Sequence, residues 1–153
     1  MSKPPVDFVR IGHAFRQAFE QVDLSDAPGS LPHFPNGCCS WATWMVGHYL
    51  KYECNLSPIE IQGNRDGAAG VEPHAWLSVD GVIVDITCDQ FNDCAHVILG
   101  VGASHWHSRW SVTRTDEIRP ISSHDRISLR GVCPSDIYKR IKSHVDAQLT
   151  SPD

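Results

Sequence analysis

A cysteine, a histidine and an aspartate occur in this chain in an order that suits thiol chemistry. They stand in Gly37-Cys38-Cys39-Ser40-Trp41-Ala42-Thr43, then His74-Ala75-Trp76, then Asp85-Ile86-Thr87. A free thiol is mostly protonated at neutral pH, and the attacking species is its anion. A base must therefore take the proton, and a third group must fix the base's tautomer and orientation. With a cysteine near Gly37 as nucleophile, His74 as base and Asp85 as orienting group, the chain holds the parts of an acyl-transfer or amide-cleaving enzyme. Asp89, in Asp89-Gln90-Phe91, competes with Asp85 for the third role. It falls past the expected strand end and also suits a turn.

The elements that would position these groups follow from hydrophobic period and turn signals. Val9, Ala14, Phe15, Ala18, Phe19 and Val22 approximate a helical period over residues 6–22. Prolines and glycines from Leu24 to Gly37 mark a loop. Cys39 to Tyr52 predicts a second helix, with Asn36-Gly37 as the turn leading into it. Backbone N–H groups at such a helix start favour a thiolate and an oxyanion. Ile59 to Gln62 predicts a short strand, and Arg65-Asp66-Gly67 reads as a turn that can rim a cleft.

His74 to Val79 and Val82 to Thr87 flank Asp80-Gly81, the signal of a two-residue type I′ hairpin. That turn pairs Val79 with Val82, Trp76 with Asp85 and His74 with Thr87. Paired residues share a face. His74 and Asp85 therefore lie on one face, offset by one pair, and Ala75, Leu77, Val79, Val82, Val84 and Ile86 on the other. Further strands are expected at His96 to Val101 and Arg109 to Thr115, and a last helix from Pro134 to Gln148, with Thr150 to Asp153 frayed. The whole predicts one α+β domain over residues 1–153. In it, helices cover one face of a mainly antiparallel sheet, and Cys39 opens the central helix.

Composition bounds the rest. At 153 residues, 41% hydrophobic and 20% charged, the chain has the make-up of one globular domain. A net charge of −5 lacks the basic footprint of a nucleic-acid binder. The longest apolar run, near Val97 to Ala103, is too short to cross a bilayer. Met1-Ser2-Lys3-Pro4-Pro5 leads into a charged segment with no apolar stretch of the secretory kind, so a cytoplasmic location with reduced cysteines is expected, a delivered effector being the other possibility. The expected partner is a peptide or protein substrate, with no nucleic acid and no membrane. The sequence sets no oligomeric state.

The Gly-Cys-Cys39-Ser-Trp-Ala-Thr segment resembles the Gly-x-Cys start of the central helix in papain-like and transglutaminase-like enzymes. His74-Ala75-Trp76 with Val84-Asp85-Ile86-Thr87 is similar to the His-x-Trp and Asp-x-Thr segments of the transglutaminase-like branch, and arylamine acetyltransferases use a similar order. From Phe34 to Phe91 the chain resembles small bacterial and phage members of that superfamily. The resemblance implies a papain-like or transglutaminase-like core, with Cys39, two after Gly37, as nucleophile, His74 as base and Asp85 as orienter. It implies a cysteine-dependent hydrolase or transferase (a peptidase, amidase, deamidase or transglutaminase) that needs no cofactor. The Cys-to-His gap is short, so the substrate-binding insertions of the larger enzymes are missing. No glutamine precedes Cys39 in the oxyanion place, and His33 stands nearest to it. Substrate contacts are assigned to His33, Trp41, Trp76, Asp89 and Gln90.

A different class of function competes. The chain has nine histidines and six cysteines, and Cys88, Cys94, His96, His105 and His107 fall close together. Such side chains suit zinc, but neither Cys-x-x-Cys nor His-Glu-x-x-His occurs. No metal is therefore expected, and a zinc-stabilised or non-catalytic binding module of the same fold is the alternative. Outside the site, the cysteines read as small buried hydrophobes.

Overall fold

A computed structural model describes residues 5–151. Helix α1 (Phe8–Gln21) starts at Asp7, whose carboxylate accepts the Arg10 N–H, and buries the stripe Ile11, Ala14, Phe15, Ala18 and Phe19. Helix α2 (Cys39–His48) follows a loop and widens into a π turn at Tyr49–Glu53. Five strands follow: β1 (Ile59–Gly67), β2 (Gly70–Val79), β3 (Val82–Asp85), β4 (Ile98–Val101) and β5 (Ser111–Glu117). The short helix α3 (His105–Ser108) lies between β4 and β5. Helix α4 (Pro134–Thr150) begins with a proline at its first turn, where the missing N–H costs nothing.

The sheet is antiparallel throughout, in the order β4-β3-β2-β1-β5. Its two faces carry two separate cores. On one face α1, α2 and α4 pack Phe15, Met45, Leu50, Ile137 and Ile141 against Leu77, Val79, Val84 and Ile86. Each such fully buried aliphatic or aromatic side chain contributes roughly 1.5–3 kcal/mol. On the other face Trp76, Trp106, Trp110, Cys88 and Cys94 form a smaller, mostly aromatic core. The segment from β4 to β5 crosses the sheet on this aromatic face, because its two strands lie at opposite edges. The described residues thus form an α+β fold with four helices and five antiparallel strands.

The β2–β3 hairpin has the register that Asp-Gly dictates. Val79 pairs with Val82 and Leu77 with Val84, and both Asp80 and Gly81 take the positive φ of a type I′ turn. The β1–β2 hairpin departs from expectation. Arg65-Asp66-Gly67 is not a turn but the end of β1, which pairs through Gly67 with Gly70. The reversal falls instead at 68–69, so β1 and β2 are both longer than their alternation suggests. Strand β4 starts two residues later than expected and β5 runs on to Glu117. Helix α4 continues through Thr150, where fraying is expected. Pro152 and Asp153 lie outside the described residues, as do residues 1–4 of the N-terminal segment that was read as lacking a leader. Among the described residues no helix is long and apolar enough to cross a membrane.

Candidate active site

Gly37 takes φ +67, a backbone region open to glycine but strained for other residues, and turns the chain into α2. The turn is tied on both sides. The Ser30 hydroxyl donates to Gly37 O at 2.7 Å, and Gly37 N–H donates to Gln90 Oε1 at 3.1 Å. The Gln90 amide in turn donates to Thr87 O at 3.0 Å, so the turn before Cys39 is fastened to the turn after β3. Cys38 is the helix cap and buries its sulfur against Ser30 O at 3.2 Å; burial pushes its thiol up. Cys39 is the first residue of α2 and lines a cavity of about 520 Å³ with Gln62, Pro73, His74, Gln90 and Phe91.

His74 and Asp85 meet across the hairpin as their shared face requires. His74 Nε2 lies 2.7 Å from Asp85 Oδ2, and both side chains are fully buried. Asp85 Oδ1 accepts the Thr87 N–H at 3.0 Å. With Nε2 committed to the carboxylate, Nδ1 is the nitrogen left for the cavity. It is buried and makes no hydrogen bond of ordinary geometry. Burial works against charge on the ring, but Asp85 and the neighbouring Cys39 thiol outweigh it and push His74 up to about 9. Burial likewise opposes the Asp85 charge, yet the His107 and His74 donors hold the carboxyl low, at about 2.

This pair makes stability depend on pH. The folded value of His74 lies above its ordinary 6.5, so its contribution is complete below that pH and disappears as pH rises through about 9. The folded value of Asp85 lies below its ordinary 3.8, so its contribution survives until pH falls towards about 2. The His74 contribution to the melting temperature should be complete below about pH 6.5 and decline steadily to pH 9.5, by roughly 2–4 °C per kcal/mol lost in a domain of this size. His74→Gln should flatten that decline; calorimetry across the range checks it, and an unchanged slope in the variant would refute the assignment.

The other sequence-nominated residues divide. Gln90 lines the Cys39 cavity. Trp76 lies beneath the histidines, its ring 5.6 Å from His74 and 4.8 Å from His107. Trp41 sits in the helix-side core and does not line the cavity. His33 is exposed on a short 3-10 turn and is also absent from the cavity wall. Asp89 faces away from His74, accepting from Arg16 at 2.6 Å. None of the six cysteines, all among the described residues, is in a disulfide. Cys88 and Cys94 donate to His96 O at 2.9 and 3.2 Å, in the aromatic core.

Two groups enter from outside the nominated set. Arg65 packs 4.5 Å over the Trp110 ring while its guanidinium holds both oxygens of Asp93, at 2.7 and 2.9 Å, and its Nε holds Glu72. It fastens the Phe91–Asp93 loop against the cavity rim. The sequence signal was Gly67-Ala68-Ala69-Gly70, which places the reversal beyond Arg65. His107, from α3, places Nε2 2.7 Å from the same Oδ2 that His74 contacts. His74, Asp85 and His107 are the one trio among the described residues whose donor atoms could surround a metal ion, lying within 4.8 Å of one another. Their 2.7 Å separations are hydrogen-bond lengths.

Comparison with protein-family models, with curated proteins and with solved structures finds no significant match to this chain.

Proposed function

We propose that the chain is a cysteine-dependent hydrolase or acyl transferase that opens an amide, in a peptide or a glutamine side chain, through a thioester on Cys39. In this reading the core is of the papain-like or transglutaminase-like kind. The observation that carries it is the division of the His74 ring. One nitrogen is committed to a buried carboxylate, and the other makes no hydrogen bond of ordinary geometry while the ring interacts with the Cys39 thiol at a helix start.

The chemistry follows from that division. His74 takes the Cys39 proton, and the resulting imidazolium is held by Asp85. The sulfur adds to the amide carbon, and first-turn N–H groups of α2 face the oxygen that gains charge. His74 Nδ1 then returns the proton to the departing nitrogen as the C–N bond breaks, leaving a thioester and a free amine or ammonia. Water or a second amine attacks the thioester next, with His74 again taking the proton. Catalytic contacts of this kind commonly tighten only with substrate bound.

An extended substrate suits the surroundings. A second cavity, of about 610 Å³, shares Glu72, Gln90 and Phe91 with the first. The two adjoin along these three residues, and the one lined by Cys39 is of the size that accepts a side chain and its flanking backbone.

Intact-mass analysis with a panel of glutamine-containing peptides, with and without a primary amine, tests the proposal. The expected result is an acyl adduct on Cys39, or ammonia release, both absent in Cys39→Ala. Two outcomes would overturn it: no adduct with any peptide or carbonyl electrophile in the panel, or about one equivalent of tightly held zinc after dialysis. The second outcome would favour the binding-module reading.

A further inference from the structure

We infer that His107, set by Ser104, is a positioning residue that locks the Asp85 carboxylate onto His74. The inference rests on the thiol-enzyme reading above and adds to it a group from a distant part of the chain.

The hydrogen bonds can be assigned one by one. The Ser104 hydroxyl oxygen accepts the backbone N–H of His107 at 3.2 Å, as the cap of α3. Its own proton then points to the nearest acceptor, His107 Nδ1, at 2.8 Å. Nδ1 therefore carries the lone pair, and Nε2 carries the hydrogen. That hydrogen faces Asp85 Oδ2 at 2.7 Å. His74 donates to the same oxygen, and Thr87 N–H binds Oδ1. One buried carboxylate thus receives three donors from three elements: β2, α3 and the turn after β3.

Three donors do more than satisfy a charge. With only His74 and Thr87, the carboxylate could swing about its last torsion and carry the imidazole with it. The bond from His107 removes that freedom, so the His74 ring plane is fixed relative to Cys39. It also keeps the buried carboxylate ionised. The titratable groups around Asp85 are His74, His107 and the thiols Cys88 and Cys94, and neither thiol carries a charge to replace the lost donor. Without the His107 donor, Asp85 holds a proton at higher pH and offers less support to the His74 imidazolium. Proton transfer from Cys39 to His74 is then less favoured.

The test uses the full chain and follows iodoacetamide labelling of Cys39 by intact mass from pH 4.5 to 9. His107→Ala should slow labelling near pH 6 by roughly 10- to 100-fold, the worth of one hydrogen bond to a charged group. The acid limb of its profile should move up by about one pH unit. His107→Gln, whose amide N–H reaches near the Nε2 position, should return most of the rate and the original limb. Ser104→Ala, which frees the wrong His107 tautomer, should move the limb in the same direction, and Ser104→Thr should restore it. A purely structural role would slow the Ala variants without moving the limb or distinguishing Gln from Ala. Should His107→Ala fail to fold, the Ser104 pair and His107→Gln against His107→Leu still decide. Profiles in the Ala variants that match wild type, while Asp85→Asn slows labelling, would overturn the role of His107 alone. Wild-type Cys39 that labels no faster than the other thiols would overturn the enzyme reading beneath it.

Discussion

Iodoacetamide at pH 6 is expected to modify Cys39 roughly 10- to 100-fold faster than any other thiol of the chain. An ordinary thiol, with pKa ~8.5, is less than about 1% ionised there, and a thiol that can pass its proton to a neighbouring imidazole reacts faster. The surroundings of the other cysteines point the same way. Cys38 buries its sulfur against Ser30 O, and Cys88 and Cys94 donate to His96 O inside the aromatic core. Burial pushes all three thiols up. Peptide mapping after a short pulse identifies the labelled site. Cys39→Ala should abolish the fast phase and melt close to wild type. Equal rates across the six thiols, or faster modification of Cys38, would remove Cys39 from the nucleophile's role.

Asp85→Asn should produce the largest loss from a single atom change, of order ~10³ to 10⁴ in labelling or turnover by analogy with serine triads. An amide presents one oxygen and one NH2 where the carboxylate presents two oxygens. At Oδ2, two ring N–H groups converge. An NH2 there repels both, and an oxygen there turns the NH2 towards the Thr87 N–H that binds Oδ1. His74 escapes by shifting its proton to Nδ1, which then points a hydrogen rather than a lone pair towards Cys39. Asp89→Asn should cost no more than a few-fold, since Asp89 answers to Arg16 on α1 and its loss weakens a half-buried ion pair. Rate constants for the two variants, measured side by side, discriminate. A large drop for Asp89 with a small one for Asp85 would transfer the orienting role.

The parts of the site that were legible in the sequence are those governed by local rules. Asp80-Gly81 fixes the hairpin register, register fixes parity, and parity brings His74 to Asp85 without any knowledge of the rest of the fold. Gly37 before Cys39 likewise marks a turn into a helix by backbone conformation alone. Arg65 was legible as a residue that can rim a cleft, but not as part of a strand: Arg-Asp-Gly suits a turn, yet two glycines three residues apart suit it better. His107 was visible as one of several histidines in a cluster that suits zinc. Its actual partner, Asp85, lies across the sheet with no periodic relation to it, so only tertiary packing could pair them. His33 and Trp41 illustrate the opposite limit, where proximity to Cys39 in the sequence did not carry over to the cavity wall.

The crossing of the chain from β4 to β5 has a consequence for the order in which the molecule assembles. Strands β1 to β4 form an uninterrupted meander of near neighbours, and contacts between near neighbours close cheaply and early. Strand β5 must return to pair with β1 across a long intervening stretch, and only that closure draws α3 over the aromatic face. A chain emerging from the ribosome therefore has its cysteine, its histidine and its aspartate in hand well before His107 and the tryptophans cover them. Under the proposed function, the three donors on Asp85 are complete only once β5 has closed the sheet.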